Sequence, residues 1–165
     1  MTVGKNLLRC GRLGLAVCGL WLALLQPLGA EVTALTTRLE ELIKGSGLKS
    51  SKVNDATYTV DFTGKQLAKI KVIVTVTAKG TDGIIVVFAN PAEKSQLGSS
   101  ANVTTALLRA NHEFDFVKVG VDGDGDAFVR GDIPSGSDVA YFKRIVEQVA
   151  AATDELYGKI KPMLR

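Results

Sequence analysis

The chain has 165 residues, of which 46% are hydrophobic and 22% are charged, a composition typical of one globular domain. It carries 20 Lys+Arg against 17 Asp+Glu, but three of the basic residues and none of the acidic ones precede residue 31. The remainder is therefore balanced at 17 of each sign, which excludes nucleic acid as the expected partner because phosphate binding needs a basic patch. Both cysteines, Cys10 and Cys18, also lie in this first segment, so no disulfide is expected in residues 31–165.

The first thirty residues have the pattern of a secretory signal peptide. Lys5, Arg9 and Arg12 form a basic start, residues 13–25 are an apolar run, and small residues end the segment at Ala30. The alternative is an uncleaved N-terminal anchor, although the run is short of the about 20 residues that span a bilayer. We expect cleavage near Ala30, a periplasmic or secreted protein, a single domain over residues 31–165, and membrane contact only through an uncleaved leader.

The first half of this domain predicts one helix and three strands. Apolar residues at helical spacing predict a helix over residues 31–44, ended by Gly45, and residues 46–55 read as a polar linker. Residues 58–62 and 67–77 alternate between apolar and polar side chains, as half-buried strands do. Residues 84–89 are apolar on both faces and predict a strand covered on both sides, which Pro91 ends. Some of that cover could come from a second subunit.

The second half predicts a short helix, a hairpin and a long helix. Residues 102–110 form the short helix, with Val103, Leu107 and Leu108 as its apolar residues. In residues 116–134 apolar positions alternate on both sides of Asp-Gly-Asp-Gly-Asp, which predicts a β-hairpin. From Val139 the period becomes about 3.6 residues, which predicts one long helix over the sheet. Its stripe is Phe142, Ile145, Val149, Leu156, Ile160 and Met163.

The predicted order is α-β-β-β-α-β-β-α. Because strands and helices are segregated along the chain, we expect an α+β fold with an antiparallel sheet. Several segments also resemble the YbjN family, bacterial domains related in fold to the type III secretion chaperones. They are Leu107-Leu108-Arg109, Phe116-Val117-Lys118-Val119, Val129-Arg130-Gly131-Asp132-Ile133-Pro134, and the last helix with Ala151, Asp154, Glu155 and Tyr157. The resemblance implies a homodimer that presents its sheet and helices to another polypeptide, in the manner of a secretion chaperone.

No catalytic, metal or cofactor site is expected. Asp122, Asp124 and Asp126 resemble the start of a calcium loop, but the required Gly and Glu of that loop are replaced by Ala127 and Ile133. An acidic turn in which Gly123 and Gly125 adopt positive φ is the favoured interpretation, and weak cation binding is the alternative. The only histidine, His112, lies where the short helix should end and has no catalytic partner in the sequence.

Four residues of the hairpin are candidates for partner binding. If its valines face the helices, alternation directs Phe116, Lys118, Phe128 and Arg130 to the opposite face of the sheet. Large apolar groups on that face indicate contact with a second copy or a client polypeptide, through the face or the edges of the sheet. We therefore expect an exported, non-enzymatic, dimeric, chaperone-like protein-binding domain. The alternative is a small-ligand or ion sensor that uses the concave face of the sheet.

Overall fold

The computed structural model describes residues 28–77, 83–97 and 101–165, with only the backbone for residues 28–32. Residues 1–27 of the predicted leader, which was expected to end at Ala30, and residues 78–82 and 98–100 lie outside these ranges. No helix in the described ranges is both long and apolar enough to cross a membrane. The helices are α1 (Leu28–Ser46), α2 (Lys94–Leu97), α3 (Ala101–Glu113) and α4 (Val139–Ile160), followed by a 3-10 turn (Lys161–Met163). The strands are β1 (Ser50–Asn54), β2 (Thr57–Phe62), β3 (Ile70–Thr77), β4 (Ile84–Ala92), β5 (Lys118–Val121) and β6 (Ala127–Pro134).

The six strands form one antiparallel sheet in the order β1-β2-β3-β4-β6-β5. The α+β class, the antiparallel sheet and the hairpin of β5 and β6 are confirmed. The structure adds β1 and the short α2 to the predicted order of elements. The sheet therefore has two edges, at β1 and at β5.

The core lies between one face of the sheet and the helices α1 and α4. Helix α4 crosses β3, β4 and β6, and α1 packs beside it against β3 and β4. The predicted stripe of α4 is wholly buried from Phe142 to Ile160. Met163 was predicted to extend this stripe, but its side chain is 38% exposed. It lies in the 3-10 turn because α4 ends at Ile160, two residues before Pro162.

The close approach of α4 to the sheet requires a glycine in β6. A Cβ atom on Gly131 would lie 2.6 Å from Cγ2 of Ile145 and 3.5 Å from Cγ2 of Val149. Contacts below about 3 Å between carbon atoms are repulsive, so any larger residue would push the helix off the sheet. Gly131 thus fixes the distance between α4 and the central strands.

The end of α1 differs from the prediction. Gly45 was expected to supply the left-handed residue, but it is helical, and a Cβ atom there would lie 3.0 Å from Cγ2 of Val139. The positive φ occurs at Gly47, at 67°. The hydroxyl of Ser46 donates to the carbonyl of Ile43 at 2.8 Å and accepts from the backbone N–H of Leu48 at 3.2 Å, at the end of α1.

Two further predictions about chain breaks were wrong. Residues 46–55 were read as a linker, but they include β1, in which four of five residues are exposed. An edge strand that is exposed to solvent on both faces has no apolar alternation from which it could be predicted. Pro91 does not end β4, which continues to Ala92. It lies where the pairing with β6 shifts register, a position at which the missing N–H of proline is tolerated.

Candidate functional site: the open face of the sheet

The face of the sheet opposite α1 and α4 contributes no residue to the hydrophobic core cluster. Side chains on directly paired residues point to the same face, so the strand register assigns each residue to one side. The core side contains pairs such as Val60 with Val72 and Val119 with Val129. The alternate residues form what we call the open face. Within the described ranges, the packing of α1 and α4 is against the other side.

The centre of the open face is apolar. It consists of five residues from β3, β4 and β6, namely Ile73, Ile84, Val86, Phe88 and Phe128. Ile73 lies directly opposite Phe88, and the Phe128 ring covers Gly120 on β5 so closely that a Cβ there would lie 2.9 Å from two ring carbons. Val86 is buried by its neighbours, whereas the other four are partly exposed. This apolar centre is bordered by threonines, Thr57, Thr59, Thr75 and Thr77.

A charged corner lies beside the apolar centre. Lys118 and Arg130 face each other across β5 and β6, and both bind the carboxylate of Asp132. The Lys118 Nζ lies 2.8 Å from Oδ2, and the Arg130 Nε lies 2.7 Å from Oδ1. Burial would raise the pKa of Asp132, but the hydrogen bonds and charges of the two cations outweigh it and hold the pKa below its ordinary value. Two cations against one anion leave this corner net positive.

The structure corrects the placement of one predicted site residue. Phe128, Lys118 and Arg130 share the open face as predicted, but Phe116 does not. It precedes β5, adopts a left-handed backbone with φ 65°, and its ring lies under the guanidinium of Arg144 on α4. The alternation used for the prediction applies only to extended backbone, so it fails at a left-handed residue. Phe116 therefore belongs to the helix side.

The two sheet edges are poorly suited to pairing with another strand. At β5, the Asn111 side chain of α3 accepts from the backbone N–H of Val119 and donates to its carbonyl, both at 2.7 Å. At β1, the pairing with β2 is irregular between Lys52 and Asn54. Bulges and lysines discourage strand addition at an edge. The open face is therefore better suited than either edge to contact a partner.

The acidic turn is held by its own backbone. Asp122 Oδ1 accepts the N–H groups of Asp124, Gly125 and Asp126 at 2.9–3.0 Å. The N–H of Asp126 has the largest effect in lowering the pKa of Asp122, against a smaller opposing effect of burial. Gly125 has φ 93°, whereas the predicted positive φ of Gly123 is wrong. The Asp122 carboxylate thus stabilises the turn by accepting its backbone N–H groups.

A groove on the helix side was not foreseen. It has a volume of about 790 Å³ and lies between α4 and the loop of residues 63–66. Asp154 on α4 holds this loop by accepting the backbone N–H groups of Lys65, Gln66 and Leu67 at 2.8–2.9 Å. Gly64 allows the approach, since a Cβ there would lie 2.0 Å from Asp154 Oδ1. We call this arrangement the Asp154 clamp.

Sequence reasoning therefore missed several residues of interest. Phe88 was noted only as part of an apolar strand, although alternation from its neighbours would have placed it on the open face. Arg144 and Asp154 contact residues far away in the chain, and Asn111 contacts the next strand, so hydrophobic periodicity marks none of them. Asp154 was noted only as part of the family resemblance. His112 lies in the last turn of α3, as expected, and is exposed.

Comparisons with known proteins come from a family model and from solved structures. The model of the YbjN family, described as "Putative bacterial sensory transduction regulator", matches residues 35–162. No curated protein matches the chain. A chain from the heterodimeric complex ExoU–SpcU of the type III secretion system of Pseudomonas aeruginosa is 18% identical, with 77% of this chain and 98% of that chain covered and a TM-score of 0.49. A chain from the ExsC–ExsE complex is 14% identical, with 81% and 95% covered and a TM-score of 0.49.

Proposed function

The chain belongs to the YbjN family, and on that premise we propose that it is a non-enzymatic protein-binding domain that receives a client polypeptide on its open face. One observation carries this proposal. Five apolar residues, of which four are partly exposed, occupy the centre of a sheet face that the helices of the described ranges leave uncovered. Soluble domains rarely leave a contiguous apolar patch bare unless it meets a partner.

The chemistry of the open face suits an extended polypeptide. Phe88 and Phe128 offer wide aromatic surfaces of the kind that dominate binding energy in protein interfaces. The bordering threonines supply hydroxyl donors and acceptors, and the charged corner of Lys118, Arg130 and Asp132 favours an acidic side chain at one end. Both strand edges are obstructed, which leaves side-chain contacts on the face as the main source of affinity.

We expect the replacement of both Phe88 and Phe128 by threonine to weaken client binding more than tenfold. Each substitution removes an aromatic anchor, and interface anchors contribute about 2 kcal/mol or more when truncated. Threonine is chosen because it retains a high preference for strands. The measurement is capture of labelled peptides on an array of unstructured sequences of varied composition, followed by titration of the retained peptides.

Val121→Thr is the matched control for this double variant. Val121 lies on the same hairpin and is 52% exposed, but it faces the other side of the sheet. It should bind peptides as the unmodified protein does. A wild-type protein that captures no peptide, or a double variant that binds as well as the control, would remove the proposal.

We also propose that the protein acts as a homodimer after export and cleavage near Ala30. Six strands spaced about 4.8 Å apart make a face wider than one extended segment can cover, so a second copy would share the cover. Sedimentation velocity should give twice the mass of one chain at micromolar concentration. A lone chain at every concentration would contradict the dimer while leaving the client-binding experiment informative.

A small-ligand sensor is the second candidate, and the groove beside the Asp154 clamp is the observation that favours it. Its walls include the polar side chains of Lys65, Gln66 and Glu147, with the small Ala151 and Gly158 between them. The groove is on the helix side, not on the sheet face as the sequence suggested. A ligand bound there should be unaffected by the Phe88 and Phe128 substitutions, so the same double variant separates the two functions.

A further inference from the structure

Phe116 has a conformation that its own contribution to folding does not explain. It is the one non-glycine residue with positive φ in the described ranges, at 65°. Left-handed backbone is unfavourable for a side chain such as phenylalanine, and glycine or asparagine adopt it at lower cost. The residue is 54% exposed, so little burial compensates for this cost. Strain retained at an exposed aromatic residue indicates a role outside the fold.

The Phe116 ring contacts the guanidinium of Arg144, whose N–H donors are not used in an ion pair within the described ranges. Its guanidinium carbon lies 4.7 Å from the centre of the Phe116 ring, and within the described part of the chain no carboxylate pairs with it. The acid one turn further along α4, Glu147, is 4.0 Å from Lys143 instead. A guanidinium over the face of an aromatic ring can still donate its N–H groups to a carboxylate.

The positive charge at this pair comes from Arg144. The charged corner of Lys118, Arg130 and Asp132 lies on the open face, on the other side of the sheet, and is not counted with the pair. Asp115 is the exposed acid next to Phe116, and it pairs with no cation in the described ranges. On the helix side, Arg144 is therefore the cation that a carboxylate of the client would meet.

We propose that Phe116 and Arg144 form a docking point for an acidic side chain of the client, flanked in the client by an apolar residue. The carboxylate accepts two N–H groups of the Arg144 guanidinium, and the apolar neighbour packs on the exposed part of the Phe116 ring. This inference rests on the proposed function and adds the chemistry of the partner. It places a second contact on the helix side, beyond the open face.

The test uses pairs of short unstructured peptides that differ only in Glu against Gln next to a leucine. The wild-type chain should bind the Glu member roughly three- to tenfold more tightly, and added salt should reduce the difference. Arg144→Gln should abolish the preference without weakening the Gln member. Phe116→Asn should reduce the preference and also weaken both members, because the leucine that they share loses the ring. Arg144→Lys, which keeps the charge but lacks the planar fork, should retain only part of the preference.

Leu108→Ala is the matched control, because Leu108 is also apolar and 68% exposed but lies on α3. It should keep the full preference. Phe116→Asn should melt within a few degrees of the wild type, and a marked drop would overturn the inference by giving the ring a structural role. A Glu preference that survives Arg144→Gln would overturn it while leaving the proposed function intact. A wild type that binds neither peptide would overturn both.

Discussion

Replacing Phe142 by alanine is expected to lower the free energy of unfolding by about 3–5 kcal/mol. Phe142 is the largest wholly buried side chain in the described ranges, and it lies on α4 where this helix covers the sheet. The substitution removes most of an aromatic ring and leaves a cavity that the rigid strands below cannot fill. Urea unfolding followed by circular dichroism measures the loss, with the slope of the transition checking that the mechanism remains two-state.

The neighbouring Lys143 supplies the control, because its side chain is exposed on the same turn of α4. Lys143→Ala should change the free energy of unfolding by less than about 0.5 kcal/mol, as surface substitutions usually do. If Phe142→Ala cost as little as this control, α4 would not be the principal cover of the sheet.

The elements that sequence predicted well are those whose burial is one-sided. In β2, Tyr58 and Val60 are buried and alternate with more exposed residues, and in β3 the same holds from Ile70 to Val74. A residue that must face a core on one side and water on the other leaves a period in the sequence. The long amphipathic α4 was predicted for the same reason.

The elements that were missed lack this asymmetry. Strand β1 is exposed on both faces, so its sequence is that of a loop. Pro91 and Gly45 are strong local signals, but contacts with β6 and with Val139 decided the outcome. Tertiary contacts of this kind are invisible to local patterns, because they depend on residues far away in the chain.

The candidate site was likewise predicted where the strands alternate regularly and missed where they do not. The alternation of β6 places Phe128 and Arg130 on the open face, and the ladder with β5 adds Lys118. Phe116 was misplaced because its positive φ interrupts the alternation one residue before Val117. Asparagine, aspartate and glycine are the residues that usually adopt such a conformation, so a phenylalanine does not predict it. The feature that misled the sequence prediction is also one on which the proposed docking point rests.

Replacing Asp154 by alanine is expected to lower the free energy of unfolding by about 2 kcal/mol at neutral pH. One carboxylate accepts three backbone N–H groups, those of Lys65, Gln66 and Leu67. Hydrogen bonds to a charged group are stronger than neutral ones, although partial exposure to solvent reduces their net value. The loop of residues 63–66 should also exchange its amide hydrogens faster, which hydrogen exchange measures directly.

The difference in the free energy of unfolding between wild type and Asp154→Ala should become smaller only at low pH. Burial would raise the pKa of Asp154, but the three N–H groups and the charge of Lys65 together hold it below its ordinary value. A lowered pKa means that the contribution to stability is complete above the unfolded-state pKa of about 3.9 and is lost as the pH falls through the lower folded-state value. The difference between wild type and Asp154→Ala should therefore stay constant from neutral pH to about pH 5 and shrink only in stronger acid. Glu155→Ala, which removes an exposed acid paired with Lys159 on the same helix, should show a much smaller difference. A stability difference between wild type and Asp154→Ala that disappears already near neutral pH would contradict the Asp154 clamp.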